Sequence, residues 1–260
     1  PNEYPFLIDE CGMSVLLPIL ALELDHNAPT TRISTGVRGL DDMMGGQGLF
    51  CGSSILLSGT SGTGKTSVAA HFVDAACRRG ERCLFFAFEE SPHQVIRNMR
   101  SIGIDFEPWI AKGLLEFRAA RPTYGGIEEV LLVTHRYVST FKPSVVVVDP
   151  ITNLLMVSSV REVRSMLTRL IDMLKAQEIS AVFTSLTASG GPLEASVADV
   201  SSLMDTWIVL RSIEKHQERT RDLYILKSRG MDHSNQVREF LITNNGVDLV
   251  ERGGPRLKAR

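Results

Sequence analysis

The sequence predicts an α/β fold: a mostly parallel central sheet flanked by helices, with an antiparallel extension near the C-terminus. Three observations carry this. Gly59-Thr60-Ser61-Gly62-Thr63-Gly64-Lys65-Thr66 stands between the apolar run Ile55-Leu56-Leu57 and a helical pattern, which reads as strand, glycine loop, helix. Four consecutive valines in Ser144-Val145-Val146-Val147-Val148-Asp149 suit a strand covered on both faces, with its carboxylate at the end where such sheets meet their ligands. The segments near 207–210, 222–227, 237–242 and 247–250 read as strands without long helices between them, closed by a hairpin turn at Asn244-Asn245-Gly246.

The remaining elements follow in chain order. Residues 1–30 read as a linker-like segment with a pair of short strands in Tyr4-Pro5-Phe6-Leu7-Ile8 and Val15-Leu16-Leu17; the absence of an initial methionine suggests the tail of a linker within a larger protein. Residues 31–252 form the expected domain and 253–260 a tail. Leu40 with Met43 or Met44 predicts a short helix over the sheet. In the first long helix Val68, Ala69, Phe72, Val73 and Ala76 share a face, and Arg78-Arg79-Gly80 reads as its end, with cations at the negative pole and glycine beyond. Cys83 to Phe88 is apolar throughout, a second buried strand ending in Glu89-Glu90. Ser91-Pro92 is an N-cap and first helical position for a helix bearing Val95, Ile96 and Met99. A strand at Leu114-Leu115-Glu116-Phe117, helices over 126–141 and 160–177, and a strand over Ala181 to Leu186 complete the alternation.

The chemistry centres on the glycine loop. Its glycines let main-chain amides curl around an anion, the helix dipole adds its positive end, and Lys65 supplies a point charge for terminal phosphates. Gly59, Thr60, Ser61, Gly62, Thr63, Gly64, Lys65, Thr66 and Ser67 are the candidate nucleotide-binding residues. Thr66 is placed to ligate Mg²⁺ through its hydroxyl. Strand ends of a parallel sheet share one face, so Lys65, Glu89, Glu90 and Asp149 are expected to converge as the catalytic set, with Thr66, Glu89 and Asp149 as the metal set. Asp149 would hold Mg²⁺ through water or by polarising Thr66, and either glutamate could orient a water or accept a proton from a hydroxyl nucleophile.

Composition narrows the setting. A chain of 260 residues, 43% hydrophobic, can bury the core of one large domain. The formal net charge of -2 argues against a general nucleic-acid binder. Cys11, Cys51, Cys77 and Cys83 lack metal spacing and read as reduced thiols, which suits the cytoplasm. No apolar run approaches a membrane span, and neither a signal peptide nor an anchor is evident.

The ordered set Ser58-Gly59 to Lys65-Thr66, then Phe86-Ala87-Phe88-Glu89-Glu90-Ser91, then Lys227-Ser228-Arg229-Gly230, resembles the KaiC family of RecA-like P-loop ATPases, and within it the second of two tandem repeats. Tyr4-Pro5-Phe6 and Arg238-Glu239-Phe240 extend the likeness over nearly the whole chain. The resemblance implies a homo-hexameric ring with ATP and Mg²⁺ between subunits, and a repeat that acts as autokinase and autophosphatase on adjacent hydroxyls. The matching pair is Ser201-Ser202, the second of which stands where the family has threonine, and Ser196 falls at a further family threonine. It further implies that Arg221, Lys227, Ser228, Arg229 and His233 reach the nucleotide of the adjacent subunit. Ile102 takes the place of a base-contacting tryptophan, and Met156 that of an arginine. Clock function does not follow, because a first repeat and the family's regulatory C-terminal tail are not in the sequence.

The alternative expectation is a DNA-dependent RecA-like or helicase-like motor; against it, Thr187-Ala188-Ser189-Gly190-Gly191-Pro192 after Leu186 offers no cation to a nucleic acid strand. A nucleotide-gated interaction module with negligible turnover is a third expectation.

Overall fold

The alternation of apolar runs and amphipathic segments resolves into one large sheet with a core on each face. In the computed structural model the described residues are 6–9, 12–15, 27–119, 121, 126–187, 198–215 and 218–251. Strands β1 (Phe6–Asp9) and β2 (Gly12–Val15) pair as an antiparallel hairpin, and β3 (Arg32–Ile33) pairs with β4 (Leu49–Phe50) on either side of α1 (Arg38–Asp42). The expected helix over the sheet is α1, and Leu40, Met43 and Met44 are buried as expected. Of the linker-like segment, only these strands and residues 27–30 are described; Tyr4, Pro5, Leu16 and Leu17 lie outside, as do Cys11, Ser196, most of 187–192 and the 253–260 tail.

From β5 onward the chain winds a parallel sheet. The elements are β5 (Ser54–Gly59), α2 (Lys65–Arg78), β6 (Cys83–Ala87), α3 (Pro92–Arg100), α4 (Glu107–Ala111) and β7 (Leu115–Ala119), then α5 (Gly126–Phe141), β8 (Val145–Asp149), α6 (Val160–Ala176) and β9 (Ser180–Leu186). After the short α7 (Ala198–Ser201) come β10 (Thr206–Lys215), β11 (Glu218–Ser228), β12 (Arg238–Thr243) and β13 (Gly246–Glu251). The spatial order is β13-β12-β11-β10-β5-β9-β8-β6-β7. Pairings from β10 to β7 are parallel, and those from β10 outward through β13 are antiparallel. This is the fold that the sequence predicts.

Alternation along each strand separates the two cores. Val145 and Val147 face the cluster that holds Val68, Phe72 and Val73 of α2, whereas Val146 and Val148 face the cluster with Val163, Leu167 and Leu170 of α6. The valines are therefore apolar on both sides because each side is covered, and each such burial is worth about 1.5–3 kcal/mol. Helix starts are set locally. Ser91 accepts from the Gln94 amide while the Gln94 side chain accepts from the Ser91 amide, and Ser159 with Glu162 repeats that box at α6. Gly80, at φ +82°, ends α2 where the paired arginines predicted it.

Two features depart from expectation. α4 and a 3-10 turn over Ile151–Met156 carry no periodicity long enough to announce them. β10 and β11 extend well past the predicted 207–210 and 222–227, because over 211–215 and 218–221 Ile213 is the one apolar residue, too little to mark a half-buried strand. The hairpin expected at Asn244-Asn245-Gly246 joins β12 to β13, with Thr243 opposite Gly246.

Candidate active site

The parallel strands end together beside the glycine loop. Gly59 cannot carry a side chain because a Cβ would lie 2.2 Å from the Leu210 carbonyl oxygen on β10. Gly64 adopts φ +99°, and its Cβ would meet Phe240 Cε1 of β12 at 2.6 Å. No side chain caps α2 at Gly64, so its first amides remain available to an anion. Thr63 Oγ1 braces the loop by donating to the Thr60 carbonyl at 2.9 Å. Lys65 is buried, and its Nζ donates to the carbonyls of Gly59 at 2.9 Å and Thr60 at 2.8 Å. Burial lowers its pKa to about 8, against the opposing pull of Asp149 and Glu89.

Asp149 ends β8 and completes the floor. Thr66 Oγ1 donates to its Oδ2 at 2.8 Å, and Thr184 Oγ1 on β9 donates to its Oδ1. Burial raises the carboxyl above its ordinary range, opposed by these two hydroxyls and by Lys65. Thr184 was not among the predicted residues, although a polar residue in the buried run Ala181 to Leu186 was a signal that it had a partner.

Glu89 and Glu90 follow β6 on a bend. The bend is held by the Phe88 amide donating to the Asp149 carbonyl at 2.8 Å and by Asn153 Nδ2 donating to the Phe88 carbonyl at 3.1 Å. One flank of Glu89 is open to solvent; burial of the other, then the charge of Asp149, raises its carboxyl, while Lys65 lowers it. Glu90 accepts from Asn98 Nδ2 at 3.2 Å, which turns it toward α3. A cleft of about 280 Å³ is bounded by Ser61, Gly62, Lys65, Thr66, Ser67, Glu89, Glu90 and Asp149, with Leu186 and Ile242 as apolar walls. The residues expected as the metal and catalytic sets thus line one cleft with six of the nine loop residues, while Gly59, Thr60 and Thr63 lie behind its lining.

Oxygen donors from one hydroxyl and two carboxylates suit Mg²⁺, which keeps few protein ligands and takes the rest from phosphate and water. Among the described residues no group of three or more His, Cys, Asp or Glu could hold a metal by itself. The donor set therefore fits a metal that arrives with a phosphate chain.

A second cluster sits at the other end of the sheet. Ser201 closes α7, buried, and exposed Ser202 follows it. Lys227 Nζ donates to the Ser201 carbonyl at 2.7 Å and Arg229 Nη2 to the Ser202 carbonyl at 2.7 Å. Arg164 Nη2 reaches Ser202 Oγ at 3.4 Å. Ser228 pairs its hydroxyl with Thr206 at 2.8 Å. The five residues expected to act in trans are not one group: Arg221 Nε donates to the Gly62 carbonyl of its own glycine loop at 3.2 Å, at the opposite end of β11 from Lys227. His233 stands apart in the loop after β11, its Nδ1 3.4 Å from the Ser234 carbonyl.

Fold and cleft together define a RecA-like P-loop nucleoside triphosphatase. The family model "ATPase: KaiC" matches residues 33–254, and the chain belongs to that family. It is 54% identical over 252 residues to "Circadian clock protein KaiC2" of Synechocystis sp. (strain ATCC 27184 / PCC 6803 / Kazusa), covering 96% of this chain and 44% of that protein. It is 38% identical to "Circadian clock protein KaiC3" of the same organism, over 95% of this chain and 49% of that protein. It is 36% identical to "Circadian clock oscillator protein KaiC" of Parathermosynechococcus lividus, over 98% of this chain and 48% of that protein. The chain spans about half the length of the curated relatives it matches.

Proposed function

We propose that this chain binds and hydrolyses ATP and transfers the γ-phosphoryl group to Ser201 or Ser202 of a neighbouring copy in a homo-hexameric ring. The observation that carries this reading is the division of the sheet: the glycine loop and Glu89 lie at one end, and the serines with Lys227 and Arg229 at the other. An acceptor on the far side of its own nucleotide site is suited to a neighbour's nucleotide.

In this reading the loop amides and Lys65 hold the triphosphate, while Thr66, Asp149 and Glu89 hold Mg²⁺. When bound, Mg²⁺ neutralises charge on the phosphate oxygens. The serine Oγ attacks the γ-phosphorus, its proton passes to the Glu89 carboxylate, and the bond to the bridging oxygen breaks so that ADP leaves with the electron pair. A raised Glu89 carboxyl is the more basic acceptor. With water in place of serine the same groups hydrolyse ATP, and Glu90 helps to orient the nucleophile. Lys227 and Arg229 neutralise charge that develops on the transferred group.

We infer a cytoplasmic setting from the free thiols of Cys51, Cys77 and Cys83; among the described residues no helix is long and apolar enough to cross a membrane. Incubation with Mg-ATP followed by mass spectrometry tests the function. Phosphate on Ser201 or Ser202, lost in Glu89→Gln while nucleotide is still bound, supports it. Hydrolysis without serine phosphate, stimulated by single-stranded DNA, would favour the motor.

A further inference from the structure

Three residues beyond Ser202, at the threshold of β10, Asp205 ties the acceptor turn to β5, to α6 and to Arg229 after β11. Its Oδ2 accepts from the Ser54 amide and from Ser54 Oγ, both at 2.8 Å, which ties it to the first residue of β5. Its Oδ1 accepts from Lys175 Nζ at 2.8 Å, near the end of α6. Its amide donates to the Ser54 carbonyl at 2.9 Å, and its own carbonyl accepts the Arg229 amide at 2.9 Å. Between Ser201 and Asp205 the chain makes a tight turn, with the Met204 amide on the Ser201 carbonyl at 3.2 Å.

The consequence is geometric. The Arg229 amide is held by the main-chain carbonyl of Asp205 and its side chain grips the Ser202 carbonyl, so the residue whose carboxylate is pinned to Ser54 and Lys175 also carries the backbone seat of the cation that faces the serine. Side chains at 18% and 21% exposure make the Asp205–Lys175 pair partly desolvated, so it is stronger than a surface ion pair. Burial favours the neutral acid, yet the hydrogen bonds from Lys175 and Ser54 outweigh it and hold Asp205 below its ordinary value, charged at neutral pH.

We propose that Asp205, clamped by Lys175, is the positioning residue of the acceptor turn and decides how phosphate is divided between Ser201 and Ser202. The assignment rests on the autokinase reading. Asp205 touches no reacting atom; its carboxylate acts by fixing the turn against β5 and α6, and the turn so fixed carries the main-chain carbonyl that seats Arg229. Ser201 is buried and Ser202 exposed in this arrangement, so a turn released from its anchor presents the two hydroxyls differently.

The test is a comparison of wild type, Asp205→Asn, Lys175→Met and Lys175→Arg in Mg-ATP, with phosphate on each serine counted by mass spectrometry. Asp205→Asn and Lys175→Met are expected to change the Ser201 to Ser202 ratio by about fivefold or more, with the KM for ATP in hydrolysis unchanged. Lys175→Arg, which keeps the cation, is expected to restore the wild-type ratio. A role confined to stability would lower the melting temperature and leave the ratio alone, and that result overturns the proposal. If Asp205→Asn does not fold, Lys175→Met decides on the same criterion. Wild-type protein that hydrolyses ATP but phosphorylates neither serine removes the autokinase reading, and this assignment with it. A normal wild-type pattern, unchanged in the variants, removes this assignment alone.

Discussion

The Nε2 atom of His71 accepts the amide of Val247 at 2.8 Å, tying the helix that starts at Lys65 to the last strand of the sheet. A Cβ on Gly246 would meet the imidazole ring at 2.5 Å, so strand and ring are in direct contact. To accept at Nε2 the ring must be neutral. Burial, with a smaller contribution from Arg78, lowers its pKa below the ordinary value, and Asp74 opposes them. As pH falls, the unfolded chain takes up this proton first, so the contribution to stability is intact above about pH 6.5 and is lost progressively below it. Melting temperatures between pH 8 and 5 should fall more steeply in wild type than in His71→Gln, which can accept the same amide but does not titrate.

Lys65 gives a second pH dependence, in binding. Its pKa of about 8 reflects burial, and phosphate oxygens favour the charged form. Nucleotide binding above pH 8 should therefore take up a proton, and affinity should fall by up to about tenfold per pH unit above that value. Calorimetric titration in buffers of different ionisation enthalpy measures the proton directly; a buffer-independent enthalpy at pH 8.5 contradicts it.

Gly64→Ala should cost about 2–4 kcal/mol, because it combines a left-handed backbone with a Cβ pressed on Phe240. Gly62→Ala has the same backbone problem, with nothing within 4 Å of the added carbon, so it should cost less. Urea unfolding of the two variants checks the order.

Thr184→Val keeps the shape of β9 and removes the hydroxyl that orients Asp149 from the side opposite Thr66. Loss of such an outer partner should weaken Mg²⁺-dependent activity by about 10–100-fold. Activity measured across Mg²⁺ concentrations should show a raised metal requirement; an unchanged requirement would refute the role.

The parts of this molecule legible in sequence are those whose cause is local. The loop from Gly59 to Thr66 announces itself by spacing, Val145 to Val148 by composition, and Ser91 by the proline that follows it. What sequence could not show depends on distant neighbours. Thr184 and Asp149 are 35 residues apart, and Asp205 meets Ser54 across 151. The resemblance grouped Arg221 with Lys227, but the two lie toward opposite ends of the eleven-residue β11, a separation that their nearness in sequence does not reveal.

The length of β5 also has a bearing on how copies deal with one another. From Ser54, against the serine turn, to Gly59, at the nucleotide loop, is about 17 Å of extended backbone. On the proposed reading a solitary copy holds a donor it cannot deliver to itself, so labelling per molecule should decline on dilution. Mixing copies that lack the ammonium (Lys65→Ala) with copies that lack both hydroxyls (Ser201→Ala, Ser202→Ala) should then label only the former, a cross-complementation in which each cripple supplies what the other lost.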